Sequence, residues 1–131
     1  MHEPIELLVV DPHLALRDAL RAALRLEDGI RVAGEAGDIV TALRLAEDAG
    51  ITLVILDSRV AGLQSPLHLD ALRALVRRVP VVVMGTGDPA LYAASYAEAG
   101  ASGYWVKDGD LAALVHLLRA AADWRPAAEV G

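Results

Sequence analysis

Val54-Ile55-Leu56-Asp57-Ser58-Arg59, residues 54–59, holds the key to the whole chain: an apolar run closed by a carboxylate. A run without polar alternation belongs in a strand covered on both faces, and such strands occur in parallel sheets flanked by helices. Outward from it, Val81–Met84 reads the same way, as does Ile5–Val10 but for Glu6, and Ile30–Ala36 and Gly103–Val106 are two further short strands. Between these runs the period changes to that of a helix. Leu16, Leu20, Ala23 and Leu24 make one apolar face, with Arg17, Arg21 and Arg25 opposite as a solvated stripe and Gly29 as the stop. Asp38 caps a second helix through Leu43 and Ala46 that Gly50 closes. Ser65 and Pro66 announce a third, Asp88 and Pro89 a fourth ended by Gly100, and Asp110 a fifth reaching about Trp124. Five strand-helix units in strict alternation imply an α/β doubly wound parallel sheet with helices on both faces.

The chain has 131 residues, 55% of them hydrophobic, which is the size of one domain and too small for two. Its longest apolar stretches, Ile51–Leu56 with only Thr52 polar and Val79–Met84, fall far short of a membrane span. With no cysteine and no basic and apolar leader at Met1-His2-Glu3-Pro4, a cytoplasmic protein is the expectation. A net charge of -6 argues against direct nucleic-acid contact by this domain, because phosphate binding calls for a clustered basic face. Residues 1–124 form the expected domain, and 125–131, with Pro126-Ala127-Ala128, read as a tail or the start of a linker.

In doubly wound sheets ligands sit beyond the carboxyl ends of the strands. Here those ends carry Asp11, Asp57, Gly85-Thr86 and Lys107, the last being the only lysine in the chain. A lone acid at a strand end is commonly a helix cap or loop solvation. Two acids and a lysine together suit phosphoryl chemistry: the carboxylates repel unless a cation lies between them, Mg²⁺ accepts one or two carboxylates, and an Asp can attack phosphorus.

At this point the residues resemble the receiver domain of two-component response regulators, in the branch whose full-length members carry a helix-turn-helix output domain. The resemblance spans residues 5 to 124. It rests on Leu8-Val9-Val10-Asp11-Pro12-His13, on Val32-Ala33-Gly34-Glu35-Ala36, on Val54 to Arg59 with Gly62, and on Ala99-Gly100-Ala101-Ser102-Gly103-Tyr104-Trp105-Val106-Lys107-Asp108. It implies a flavodoxin-like sheet of order 2-1-3-4-5, with Asp57 as phosphoacceptor and Lys107 beside it. Mg²⁺ would be held by Asp11, Asp57 and the Arg59 main-chain carbonyl, with Thr86 and Tyr104 as switch residues. The implied partners are a sensor histidine kinase or small phosphodonor, a second copy in a homodimer, and a DNA-binding output domain. The implied role is signal reception, not enzymatic turnover.

Several positions depart from the family pattern. Pro12 replaces a second acid and removes an N–H as well. Gly85 stands where the family has Thr or Ser, with Thr86 one residue late and so turned away unless the loop bulges. Val60-Ala61-Gly62 and Gln64 are milder changes. Mg²⁺ binding is therefore expected to be weakened or lost, since a missing supporting ligand costs about 10- to 100-fold. The alternative function is a phosphorylation-independent module that binds a protein or small ligand.

Competing motifs are weaker. Asp11-Pro12-His13 resembles the D-x-H-x-x-G of cobalamin-binding domains, but Leu16 replaces its glycine. Asp57-Ser58-Arg59 lacks the second acid of dehalogenase-like phosphatases. Gly85-Thr86-Gly87-Asp88-Pro89-Ala90 satisfies a dinucleotide pattern, but in the fourth unit and with Asp88 set to repel pyrophosphate. Trp105, Tyr92 and Tyr96 mark either a docking face or core cover.

Overall fold

The computed structural model describes residues 3–48, 50–60 and 69–123. The expected cap at Ser65-Pro66, the loop residues Gly62 and Gln64, Trp124 and the tail lie outside these. Among the described residues, strands and helices alternate: β1 (Ile5–Val10), α1 (Leu14–Leu24), β2 (Ile30–Ala36), α2 (Ile39–Ala46), β3 (Leu53–Asp57), α3 (Leu69–Val76), β4 (Val81–Gly85), α4 (Pro89–Glu98), β5 (Gly103–Val106) and α5 (Leu111–Ala122). The strands form one sheet in the order β2-β1-β3-β4-β5, with every adjacent pair parallel. This is the flavodoxin-like doubly wound fold.

Alternation of side chains along each strand splits the core in two. Leu7, Val9, Leu53, Ile55, Val82, Met84 and Trp105 face one layer, where they meet Leu20 and Leu24 of α1 and Leu114, Val115 and Leu118 of α5. Leu8, Val10, Val54, Leu56, Val81 and Val83 face the other, against Ala42 and Ala46 of α2, Leu72 and Leu75 of α3, and Tyr96 of α4. β1, β3 and β4 read as continuous apolar runs because both faces are buried. Each large side chain so buried contributes about 1.5–3 kcal/mol.

Caps fix most helix starts as the residues require. Asp38 accepts from the Thr41 N–H, Asp88 from Ala90 and Asp110 from Ala113. Gly100 follows α4 at φ +106°, the left-handed conformation that a side chain resists and glycine permits. Two expected stops lie elsewhere. α1 ends at Leu24, and Gly29, at φ +78°, turns the chain into β2 instead. α2 ends at Ala46, and Gly50 sits in the loop beyond.

Trp105 proves to be core cover: it is buried, and its indole N–H donates to the Asp110 carbonyl at 3.0 Å, tying β5 to the start of α5. The arginine stripe is only partly solvated. Arg17 and Arg21 of α1 reach Glu35 on β2, with Arg17 Nε 3.1 Å from Oε1 and Arg21 Nη2 2.7 Å from Oε2. Arg25 is exposed, as expected.

Leu56→Ala is expected to lower the unfolding free energy by about 2–5 kcal/mol in urea titrations, through lost burial and an unfilled cavity. Leu26→Ala, at a position 84% exposed, is expected to leave the midpoint nearly unchanged.

Candidate functional site

Strand order reverses between β1 and β3, and the carboxyl ends of the strands at such a point are where ligands of doubly wound sheets sit. Val10 pairs with Leu56 and Asp57 with Met84, so Asp11 and Asp57 leave the sheet side by side. Gly85 pairs with Val106, which brings Lys107 to the same mouth, its N–H donating to the Gly85 carbonyl at 2.9 Å.

Asp11 and Asp57 are both completely buried. Lys107 Nζ donates to Asp11 Oδ2 at 2.7 Å and also to Asp57 Oδ2. The other carboxylate oxygens are held by local turns. Asp11 Oδ1 accepts the His13 N–H at 2.7 Å and lies 3.2 Å from His13 Nδ1. Asp57 Oδ1 accepts the Arg59 N–H at 2.7 Å, with Arg59 Nε at 3.4 Å. Burial drives the Asp11 carboxyl upward, but the Lys107 ammonium and the His13 N–H outweigh it and hold the group below its ordinary range.

The main chain at Asp11 is braced from outside the pocket. Its N–H donates to Ala36 O at 3.0 Å, and its carbonyl accepts from Arg17 Nη1. Glu35, which shares Arg17 and Arg21, has its pKa lowered chiefly by the Arg21 hydrogen bond, against a smaller upward push from burial. Nothing in the spacing of Arg17 and Arg21 foretells this network, because their partner lies on a different element.

Beyond β4 the site becomes a cluster of hydroxyls. A cavity of about 130 Å³ is lined by Ser58, Arg59, Thr86, Tyr92, Tyr96 and Tyr104 among others. Tyr104 points inward: its hydroxyl donates to the Gly87 carbonyl at 2.9 Å, and its ring stacks on Tyr96 with centroids 5.5 Å apart. Gly85 makes room for this. A Cβ there would lie 2.9 Å from both Ser58 Oγ and the Tyr104 hydroxyl. Burial raises both tyrosine pKa values; the Asp57 charge adds to the rise at each, and the Ser58 hydroxyl draws Tyr96 partly back.

Of the residues expected at the site, Asp11, Asp57 and Lys107 converge in direct contact. Arg59 meets Asp57 through its N–H and guanidinium, and Thr86 stands exposed on the cavity rim. Tyr104 reaches the cavity from β5. Reading the sequence for site residues missed Ser58 and Arg17. Ser58 follows the acid directly, but only the absent side chain at Gly85 exposes its importance.

A parallel sheet in this order, with a buried acidic pair bridged by lysine where the order reverses, defines a doubly wound α/β fold with a charged site at its switch point. The chain belongs to the response regulator receiver domain family, whose model matches residues 7–119. It is 32% identical over 119 residues to the nitrate/nitrite response regulator protein NarP of Escherichia coli, covering 91% of this chain and 55% of that protein. Among solved structures it is similar to the signal receiver domain of the response regulator NarL from Mycobacterium tuberculosis. That match has a TM-score of 0.79 at 26% identity, covering 95% of this chain and all of the other. A LuxR-family two-component response regulator from Aurantimonas also matches with a TM-score of 0.79, at 27% identity over 92% of this chain and 86% of that one. The chain is thus a receiver domain of the NarL/LuxR type, and it spans about half the length of the curated relatives it matches.

Receiver domains generally bind Mg²⁺, and the donor set here fits that ion in reduced form. Two carboxylates share one mouth, which suffices for an ion that keeps most of its water. Among the described residues no third His, Cys, Asp or Glu joins them, and Lys107 already lies between the two.

Lys107→Met is expected to strand two buried carboxylates and cost about 3–5 kcal/mol near pH 7 in urea titrations, a deficit that added Mg²⁺ reduces. The lowered pKa values of Asp11 and Glu35 set the acid limb. The stability they confer is fully present above their ordinary range and is lost as pH falls through the lowered values. Glu35→Gln is expected to flatten that limb, as read by unfolding midpoints across the acid range.

Proposed function

We propose that this chain is a signal-receiving domain in which Asp57 accepts a phosphoryl group from a sensor histidine kinase or a small phosphodonor. The observation that carries this reading is the single Lys107 ammonium bonded to both buried carboxylates, Asp11 and Asp57. An Asp57 oxygen attacks phosphorus, the bond from phosphorus to the donor's leaving atom breaks, and the leaving group departs with that electron pair. Lys107 then exchanges its hold on the Asp57 oxygen for the phosphoryl oxygens and offsets their charge. Asp11, Asp57 and the Arg59 main-chain carbonyl would hold Mg²⁺, which supplies further neutralisation of that charge when bound. Thr86 and Tyr104, beside the cavity, are the residues whose contacts change with it. The altered α4–β5 surface would bias two conformations and so alter homodimerisation or access to a DNA-binding output domain. The domain itself signals and does not turn over a substrate; its setting would be the cytoplasm, and no helix among the described residues is long and apolar enough to cross a membrane.

Pro12 and Gly85 favour a second reading. With one acid and one β4 hydroxyl absent, the pocket is degenerate, Mg²⁺ binds weakly or not at all, and the domain works as a phosphorylation-independent pseudo-receiver. That reading is supported by a tyrosine already turned inward.

The two separate in intact mass after incubation with Mg²⁺ and acetyl phosphate. Wild type is expected to gain one phosphoryl group and Asp57→Asn none. An unchanged wild-type mass, with a promiscuous kinase also tried, rejects the phosphoacceptor reading and leaves the pseudo-receiver.

A further inference from the structure

Ser58 has no assigned task in the chemistry above, yet three observations place it at the junction of the pocket and the tyrosines. Its backbone N–H donates to the Met84 carbonyl at 2.9 Å, which fixes the residue against β4 immediately after Asp57. Its side chain is nearly buried and lines the cavity with Tyr96 and Tyr104. Its Oγ lies 2.9 Å from the point where a Cβ on Gly85 would stand, the same point that the Tyr104 hydroxyl approaches at 2.9 Å. The space left by one missing side chain is thus approached by two hydroxyls, one from the residue that follows β3 and one from β5.

We propose that Ser58 is a positioning residue that couples the charge state of Asp57 to the Tyr96–Tyr104 pair, in place of a hydroxyl on β4. It rests on Asp57 being the reactive carboxylate. A serine hydroxyl donates and accepts, and it rotates at little cost. One residue after Asp57 and facing the tyrosines, it reorients with the field of that carboxylate. A change at the carboxylate is then felt at the rings. Gly85 is the condition for this arrangement, since any side chain there crowds both hydroxyls. The crowded atoms are ends of rotatable side chains, so a larger residue shifts Ser58 and Tyr104 without disrupting the strand.

The chain has three tyrosines, Tyr92, Tyr96 and Tyr104, so 3-fluorotyrosine labelling gives three ¹⁹F resonances. The perturbation is Asp57→Asn, which removes the charge and needs no phosphodonor. In the Ser58 chain it is expected to move the Tyr96 and Tyr104 resonances. In a Ser58→Ala background the same change is expected to move them at least about threefold less, as a double-mutant cycle reads it. Ser58→Thr, which keeps the hydroxyl, retains the response, and Gly85→Ala weakens it. An equal response with and without the Ser58 hydroxyl overturns the proposal, as does a Ser58 chain whose tyrosines ignore Asp57→Asn. Phosphorylation is read separately by intact mass, so a failure of Asp57 to accept phosphate is distinguishable from a failure of Ser58 to couple.

Discussion

The contact on which the pocket depends is the Lys107 ammonium shared by two buried carboxylates. Asp11 closes β1, Asp57 closes β3 and Lys107 follows β5, so one cation joins the ends of three strands. Two carboxylates at one mouth repel, and burial makes each costly to keep charged. The ammonium and the N–H groups of His13 and Arg59 offset that cost, accounting for all four carboxylate oxygens. The sheet register makes the meeting possible, because parallel pairing brings Asp11 beside Asp57 and carries Lys107 to Gly85. An arrangement so self-contained has a consequence for metal binding: a divalent ion must compete with a tethered cation for the same oxygens.

From that junction the structure divides into a braced side and a side with open space. Toward β2, Arg17 and Arg21 grip Glu35, and Arg17 also reaches the Asp11 carbonyl. These contacts fix the Asp11 turn even though Pro12 brings neither an acid nor an N–H to it. Toward β4 and β5, small residues leave space. Gly85 admits Ser58 and Tyr104, and Gly87 lies under the Tyr92 ring while offering its carbonyl to Tyr104. Aromatic stacking and rotatable hydroxyls fill what larger side chains would have locked. The departures from the family pattern at Pro12 and Gly85 thus each have a structural counterpart.

Much of this was legible in order of residues. Apolar runs at Ile5–Val10, broken only by Glu6, at Thr52–Leu56 and at Val81–Met84, separated by helical periods with caps at Asp38, Asp88 and Asp110, define the alternation and hence the parallel sheet. Helix ends were less legible. Gly29 and Gly50 are real punctuation, but each stands several residues past the helix it was expected to stop, since glycine marks where a turn needs it and not where hydrogen bonding ceases.

By itself the sequence determined the layers, the strand ends and the candidates Asp11, Asp57 and Lys107, because apolar runs, the 3.6-residue helical period and the chemistry of strand-end acids are local properties. Only the tertiary structure decided which charges meet. The Arg17–Glu35 pair, the inward Tyr104 and the placement of Ser58 in the gap at Gly85 each join residues on different elements. Their partners are chosen by sheet register and helix packing, and a side chain that is missing, as at Gly85, acquires meaning only through what moves into its place.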